Sequence, residues 1–203
     1  MKSTRIILVL VLLLALPALS QARDKGFNLG ASVGFSNLNE ASVFLGTPDI
    51  DKSGTGFRFV VGWKFNENFG LEAAYSDLGG ATISGGLGDR IVIGDDIITF
   101  QQNGVVVDRD VSTINLSLAF FHDFNKRVAV LGRVGMSRWD IGTTSPAGSL
   151  SPELNDDDGS GFHVGVGLGV KMAKHWDFEI DLEYYLLDEL DVVWLTTGVV
   201  VTF

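Results

Sequence analysis

Residues Leu195-Thr196-Thr197-Gly198-Val199-Val200-Val201-Thr202-Phe203 end the chain, and their side chains alternate in character. Counting back from Phe203, every second residue as far as Leu195 is apolar or threonine. A period of two residues is typical of a β-strand with one apolar face. The stretch therefore predicts a terminal strand that ends on an aromatic residue.

The same alternation recurs in seven further segments. Residues 57–65 read FRFVVGWKF, with an apolar residue at every odd position and mostly polar or small residues between them. The other six segments are 27–35, 69–76, 113–120, 128–137, 162–172 and 176–185. With 193–203 this makes eight segments of roughly ten residues, the length that a tilted strand needs to cross a bilayer.

The first 22 residues have the pattern of a cleaved secretion signal. Lys2 and Arg5 give a basic start, residues 6–16 form an apolar run, and Ser20-Gln21-Ala22 is a small-x-small cleavage site. An apolar run of this length is shorter than the roughly twenty residues of a membrane-spanning helix. The sequence thus predicts a signal peptide over 1–22 and one domain over 23–203, which contains no cysteine and so no disulfide.

The composition excludes some classes of partner and structure. The formal net charge is −10, and the residues after the signal carry 13 basic against 25 acidic groups. Nucleic-acid binding requires basic patches, so no nucleic acid is expected as a partner. The 25 glycines and only four prolines favour strands over disorder.

The connections between the segments differ in length in a regular way. Three of them are short, namely 66–68, 122–127 and 173–175, whereas 37–55, 79–110 and 140–160 are long and polar. Short turns at one rim and long loops at the other are typical of an outer-membrane barrel with both termini in the periplasm. The sequence predicts an all-β, eight-stranded, antiparallel, up-and-down transmembrane β-barrel. Within 79–110, Asn103-Gly104 predicts a hairpin between 97–102 and 105–110, and a ten-stranded barrel stays an alternative.

A soluble barrel of the lipocalin type is the competing interpretation. Such a barrel places its apolar residues inside and its charges outside. Five large apolar side chains on one face of 57–65 do not fit inside an eight-stranded barrel. Lipid accommodates them, and barrel closure satisfies the backbone. We therefore expect the apolar face to point outward.

The chain resembles the OmpA-like family of small outer-membrane barrels. The resemblance is carried by FGLEAAYSD at 69–77, DDDGSGF at 156–162, GVGLGV at 165–170 and the terminal Val201-Thr202-Phe203. It implies a location in the Gram-negative outer membrane, with membrane lipid and lipopolysaccharide as partners. It also implies that Val199, Val201 and Phe203 form the signal read by the barrel-assembly machinery. The peptidoglycan-binding domain of full-length OmpA-type proteins is not expected.

Charged residues on the polar faces mark the barrel interior as the candidate site. The predicted interior charge network consists of Arg58, Lys64, Glu72, Arg133, Lys171, Glu179, Asp181 and Glu183. Ionised groups in a narrow lumen must be paired or hydrated. Two interpretations follow: a gated ion path, or a polar core that fills and rigidifies the barrel, which the small lumen of eight strands favours.

Sites outside the interior have weaker sequence signals. Residues 155–158 (Asn-Asp-Asp-Asp) lack the ligand spacing of a calcium loop, so a solvated loop tip is favoured over a metal site. Three arginines in or near the outer loops could meet lipopolysaccharide phosphates: Arg90, Arg109 and Arg138. Two aromatic girdles are predicted, an outer one of Trp139, Phe162, Tyr184 and Tyr185 and an inner one of Trp63, Phe65, Phe69 and Trp176.

Catalysis is not expected. Known barrel enzymes that act on lipid A use a serine with a histidine and an acid near the outer rim. His122 and His175 fall in predicted periplasmic turns, and Ser160 is the only serine close to His163 along the chain. No cofactor and no metal site are predicted. The sequence favours a structural or surface-interaction role, with a ligand bound through loops 37–55, 79–110 and 140–160, over the alternative of a narrow channel for ions or small solutes.

Overall fold

Every regular element in the described part of the chain is a β-strand. The computed structural model describes residues 25–40, 43–45, 49–93, 96–99, 105–144, 157–188 and 190–203. The strands are β1 (Gly26–Glu40), β2 (Val43–Leu45), β3 (Asp49–Asp51), β4 (Ser53–Lys64), β5 (Phe69–Gly85), β6 (Arg90–Ile93), β7 (Asp96–Thr99), β8 (Val105–Asp123), β9 (Val128–Thr144), β10 (Asp157–Lys171), β11 (Trp176–Leu187) and β12 (Leu190–Thr202). Helices long and apolar enough to span a membrane are absent from those ranges.

Eight of these strands form a closed antiparallel barrel. Their order around the barrel is β5-β4-β1-β12-β11-β10-β9-β8, and β5 pairs with β8 to close the ring. The last strand meets the first in a continuous register from Asn28 opposite Thr202 to Glu40 opposite Leu190. Closure leaves no open edge among the eight strands. The predicted eight-stranded up-and-down barrel is confirmed.

The two ends of the barrel differ, and we name them by what they carry. The terminus end carries Lys25, Phe203 and the short connections 65–68, 124–127 and 172–175. The loop end carries the long connections, which include the remaining short strands. There β2, β6 and β7 form a small separate sheet, and β3 extends the barrel sheet by pairing with β5. The tight link between β11 and β12 includes Asp188, whose φ of 31° is positive.

The strands continue further toward the loop end than the alternation alone indicates. Residues 79–85, 105–110 and 140–144 were expected in loops, but they prolong β5, β8 and β9 in one ladder that reaches Gly85 opposite Val105. The predicted pairing of 97–102 with 105–110 is wrong. Strand β7 pairs instead with β6, so that Ile93 lies opposite Asp96, while 105–110 pairs with β5 and β9. Asn103 and Gly104 themselves lie outside the described residues.

A β-bulge in β5 preserves the inward face of that strand. The register with β8 shifts between Asp77 and Gly80, and Asp77 Oδ1 accepts a hydrogen bond from the Gly79 N–H at 2.9 Å. Gly79 has a φ of +75°, and a Cβ there would lie 2.7 Å from the Thr55 carbonyl oxygen. The extra residue allows both Leu78 and Ala81 to point into the barrel, where both are buried.

The outer surface of the barrel carries an apolar belt, as predicted. On β4, for example, Phe59 and Trp63 are exposed, whereas Arg58 and Val60, at the alternate positions, are buried. The predicted inner girdle residues Trp63, Phe65, Phe69 and Trp176 all lie on this outer surface. Large apolar side chains lie on the outside and glycines on the inside, which is the arrangement of a barrel in lipid.

Toward the loop end this pattern reverses. There the apolar side chains lie on the inner face of the strands and the polar side chains on the outer face. On β9 the outward side chains are apolar up to Met136 and polar from Arg138 onward, while the inward Trp139 and Ile141 are buried. On β12 the inward Trp194 is fully buried, next to the outward, exposed Leu195. The inward apolar side chains form one cluster, here called the apolar plug: Leu38, Leu78, Ala81, Val111, Trp139, Ile141, Tyr185, Leu187, Leu190, Val192 and Trp194.

The predicted location of two outer-girdle residues is wrong, because both belong to the apolar plug. Trp139 and Tyr185 were expected at the lipid interface, but they point into the barrel and are only 4% and 0% exposed. Phe162 lies on the outside, 60% exposed, and Tyr184 is half-buried with its hydroxyl donating to Asp191 at 2.7 Å. The reason is that strands extending beyond the belt enter water, where an apolar interior and a polar exterior are favoured.

Candidate functional site

The interior of the barrel contains an ion-pair cluster centred on Arg133. The alternation along β9 points this residue inward, opposite Gly165 on β10. A Cβ at Gly165 would meet the side chain of Glu183, so the glycine leaves room for that carboxylate. The Arg133 guanidinium donates from Nε to Glu72 Oε2 at 2.7 Å, from Nη1 to Asp181 Oδ1 at 2.5 Å and from Nη2 to Glu179 Oε2 at 3.0 Å. One cation therefore holds three carboxylates from β5 and β11.

Arg58 on β4 links this cluster to a third carboxylate on β11. Its Nη1 donates to Glu183 Oε1, and its Nη2 lies 3.8 Å from Glu72 Oε2. The other oxygen of Glu183 accepts a hydrogen bond from the Tyr185 hydroxyl at 2.6 Å. We call the six residues Arg58, Glu72, Arg133, Glu179, Asp181 and Glu183 the inner charge cluster; all six are buried.

The two lysines of the predicted network lie apart from this cluster, at the terminus end. Lys171 Nζ is 3.0 Å from Asp123 Oδ2, and Lys64 Nζ lies over the Phe121 ring, 4.0 Å from its centroid. Both side chains are only half-buried. The structure thus brings six of the eight predicted residues together and places Lys64 and Lys171 at the mouth of the lumen.

Two spaces lie along the polar part of the lumen. The larger, here called the vestibule, has a cavity volume of about 40 Å³ and is bordered by Asn28, Lys64, Asp123 and Glu179, among others. Because the Asp123 side chain is 58% exposed, the vestibule opens to solvent at the terminus end. A second, small cavity of about 10 Å³ borders Arg58, Arg133 and Asp181 and shares Glu179 with the vestibule.

A buried histidine lies beside Tyr185, the plug residue whose hydroxyl donates to Glu183 of the inner charge cluster. His163 is fully buried and stacks on Tyr185 with ring centroids 5.3 Å apart. Its Nε2 is 2.8 Å from Ser117 Oγ and its Nδ1 is 2.9 Å from Ser137 Oγ. Sequence reasoning considered only Ser160, because it could not foresee that β8 and β9 bring two serines to β10.

This histidine does not form the arrangement of a hydrolase. In a serine–histidine site a carboxylate orients the second ring nitrogen, whereas here both nitrogens contact serine hydroxyls. Ser117, Ser137 and His163 are 1%, 2% and 0% exposed, so a substrate cannot reach them in this conformation. Within the described ranges, no three acidic or histidine side chains come together as a metal-binding group.

The remaining predicted residues lie at the surface or at the ends. The Phe203 N–H donates to the Phe27 carbonyl at 2.8 Å, and the two rings are 6.2 Å apart. Val199 and Val201 lie on the outer face of β12. Arg138 is exposed and pairs with Asp158 at 2.7 Å, while Arg109, expected to face lipopolysaccharide, is buried and points inward. Asn155 and Asp156 lie outside the described residues, and Asp157 and Asp158 begin β10 as exposed side chains.

A family model for the outer-membrane protein β-barrel domain matches residues 6–203. The chain belongs to this outer-membrane β-barrel family. Membership implies a location in the outer membrane, in contact with its lipid; which rim faces outward stays a prediction. A comparison with curated proteins found no match.

Solved structures of several other proteins share this fold. Ail of Yersinia pestis, solved in complex with the heparin analogue sucrose octasulfate, has a TM-score of 0.58 and 16% identity, over 89% of this chain and 99% of Ail. Neisserial surface protein A has a TM-score of 0.58 and 14% identity, over 88% of this chain and 97% of that protein. OprG of Pseudomonas aeruginosa has a TM-score of 0.57 and 12% identity, over 90% and 99%. At such low identity these similarities concern the fold alone.

Proposed function

We propose that this outer-membrane barrel is non-catalytic and acts in surface interaction through its loop end, which faces outward when both mature termini lie in the periplasm. The observation that carries the proposal is the apolar plug. Its eleven buried side chains fill the lumen above the inner charge cluster. A hydrated ion entering from the loop end would have to cross a dry, apolar layer, which is strongly unfavourable. The loop end is then left as the surface through which the protein can act.

The charge of the loop end suggests the chemistry of its partner. Five aspartates on the described strand ends there are exposed: Asp51, Asp110, Asp140, Asp157 and Asp158. The exposed Arg138 is already paired with Asp158. A basic protein surface complements this charge, whereas a polyanion such as the sulfated sugar bound by Ail would be repelled. We therefore propose a basic surface ligand, met through the loop regions 37–55, 79–110 and 140–160.

Binding and conductance measured on the same refolded protein test this proposal. We expect salt-sensitive adsorption to polylysine-coated surfaces and none to heparin-coated ones, since screening weakens exposed charge attraction. A variant with Asp110, Asp140, Asp157 and Asp158 changed to Asn should lose most of the polylysine binding. Preferential binding to heparin, or equal binding by the variant, would contradict the proposal.

Conductance in planar bilayers separates this role from the alternative of a narrow channel. The unmodified protein should be silent, and Arg58→Ala/Arg133→Ala should be silent too, because the plug remains in place. Shortening plug residues in the variant Tyr185→Ala/Trp194→Ala is expected to introduce measurable current. Large, stable channels formed by the unmodified protein would establish the channel alternative instead.

A further inference from the structure

The inner charge cluster carries an excess of negative charge that the protein itself does not balance. Its two guanidinium groups face four carboxylates, and all six side chains are at most 7% exposed. The lysines at the mouth of the lumen do not balance this excess negative charge. Lys64 and Lys171 there are matched by Asp123 and Asp177, which border the same vestibule. A buried charge without compensation is strongly unfavourable, so the cluster requires additional positive charge.

A second, independent feature points to the place where that charge binds. Asn28 on β1 borders the vestibule together with Glu72 and Glu179, and its side chain is 3% exposed. Its Oδ1 is buried and has no hydrogen-bond partner. An amide oxygen accepts hydrogen bonds or coordinates cations, and leaving it unsatisfied costs free energy. A buried, unpartnered acceptor that borders the same cavity as two carboxylates is suited to a cation.

We propose that the vestibule binds one alkali-metal cation, Na⁺ or K⁺, between Asn28 Oδ1 and the carboxylates of Glu72 and Glu179. Both carboxylates contact Arg133 through Oε2, so we assign the cation to their Oε1 atoms, with water completing its coordination. The described residues lack the three-group clusters that hold divalent metals, which favours a monovalent ion. Lys64 does not occupy the position, because its ammonium group lies over the Phe121 ring.

Access to this site is expected from the terminus end only. The vestibule opens past the exposed Asp123, whereas the loop side is closed by the apolar plug. The cation would therefore exchange with one side of the membrane without crossing it. The proposal does not depend on the basic partner at the loop end, and either can fail without the other.

Thermal unfolding of the refolded protein in detergent tests the site, with NaCl, KCl or N-methyl-D-glucamine chloride at equal ionic strength. Na⁺ or K⁺ at about ten times its Kd should raise Tm by about 3–6 °C above the value in the bulky organic cation. The variant Glu179→Gln neutralises one proposed ligand and lowers the excess from two negative charges to one, so it should reduce this difference. Asn28→Asp adds a carboxylate and should enlarge it, so the two variants shift the response in opposite directions.

Asp158→Asn is the matched control, because it also neutralises one partner of an ion pair, but outside the lumen. It should keep the full response to Na⁺ or K⁺. A pH series completes the test, since protons taken up by the buried carboxylates Glu179 and Asp181 are the competing source of positive charge. A Tm that depends on pH but not on the identity of the cation would overturn the proposal. So would an unchanged cation response in both Glu179→Gln and Asn28→Asp.

Discussion

Replacing Arg133 with methionine is expected to lower the free energy of unfolding by about 3–5 kcal/mol, the cost of removing one partner from a buried ion pair. The reason is geometric. Arg133 donates to Glu72, Asp181 and Glu179 at 2.7, 2.5 and 3.0 Å, and its side chain is 3% exposed. Methionine replaces the aliphatic stem of arginine but has no guanidinium group, so the loss reports mainly on three carboxylates left without their cation.

The matched control is Arg138→Met on the same strand. Arg138 pairs with Asp158 at 2.7 Å, but the two side chains are 76% and 58% exposed. Exposed pairs of this kind contribute about 0–1 kcal/mol. Urea unfolding in detergent micelles, followed by tryptophan fluorescence, should therefore separate the two variants by at least about 2 kcal/mol. Two variants of equal stability would mean that Arg133 is solvated and that the inner charge cluster does not support the fold.

Further predictions address other parts of the barrel. Trp194→Ala should cost about 3–5 kcal/mol in the same urea assay, because it leaves a cavity in the apolar plug; a loss below about 1 kcal/mol would contradict a packed plug. Gly79→Ala should be more destabilising than Gly88→Ala, since φ is positive at both but only at Gly79 would the new Cβ meet backbone atoms; equal midpoints would refute the close approach. Deleting Phe203 should reduce insertion in cells far more than refolding in detergent, and comparable losses would leave it only a girdle role. Unboiled protein from outer-membrane fractions should migrate differently from boiled protein on gels; soluble periplasmic protein without this shift would contradict the membrane location.

The barrel itself was predictable because the alternation of side chains is a local property. Each strand shows its inward and outward faces within about ten residues, and Arg58, Glu72 and Arg133 were placed on the inner face from parity alone. The pairing inside the lumen was not predictable to the same degree. Which carboxylate meets which arginine depends on register and on strands up to 125 residues apart, as for Arg58 and Glu183.

The apolar plug was missed although the sequence contains its signal. The expectation of a uniformly polar interior placed Trp139 and Tyr185 in a lipid girdle. Along β9, however, Val134 and Met136 are apolar at even positions, whereas Trp139 and Ile141 are apolar at odd positions. Along β12 the large apolar residues change from even at Trp194 to odd at Leu195. A change of parity without a change of strand indicates that the solvent has changed from water to lipid. Reading each strand with one fixed apolar face concealed this.

That change of parity also determines how deeply the barrel is immersed. If the barrel shifted along the membrane normal so that its loop end sank into the bilayer, Arg138 and Asp140 would enter hydrocarbon. Charged groups there are costly in a depth-dependent way. If it moved the opposite way, exposed Met136 and Phe162 would leave lipid for water. In a thinner or thicker bilayer the barrel cannot slide to adapt on this rim. The membrane must deform around it, so the barrel fixes where the hydrocarbon boundary lies at its loop end.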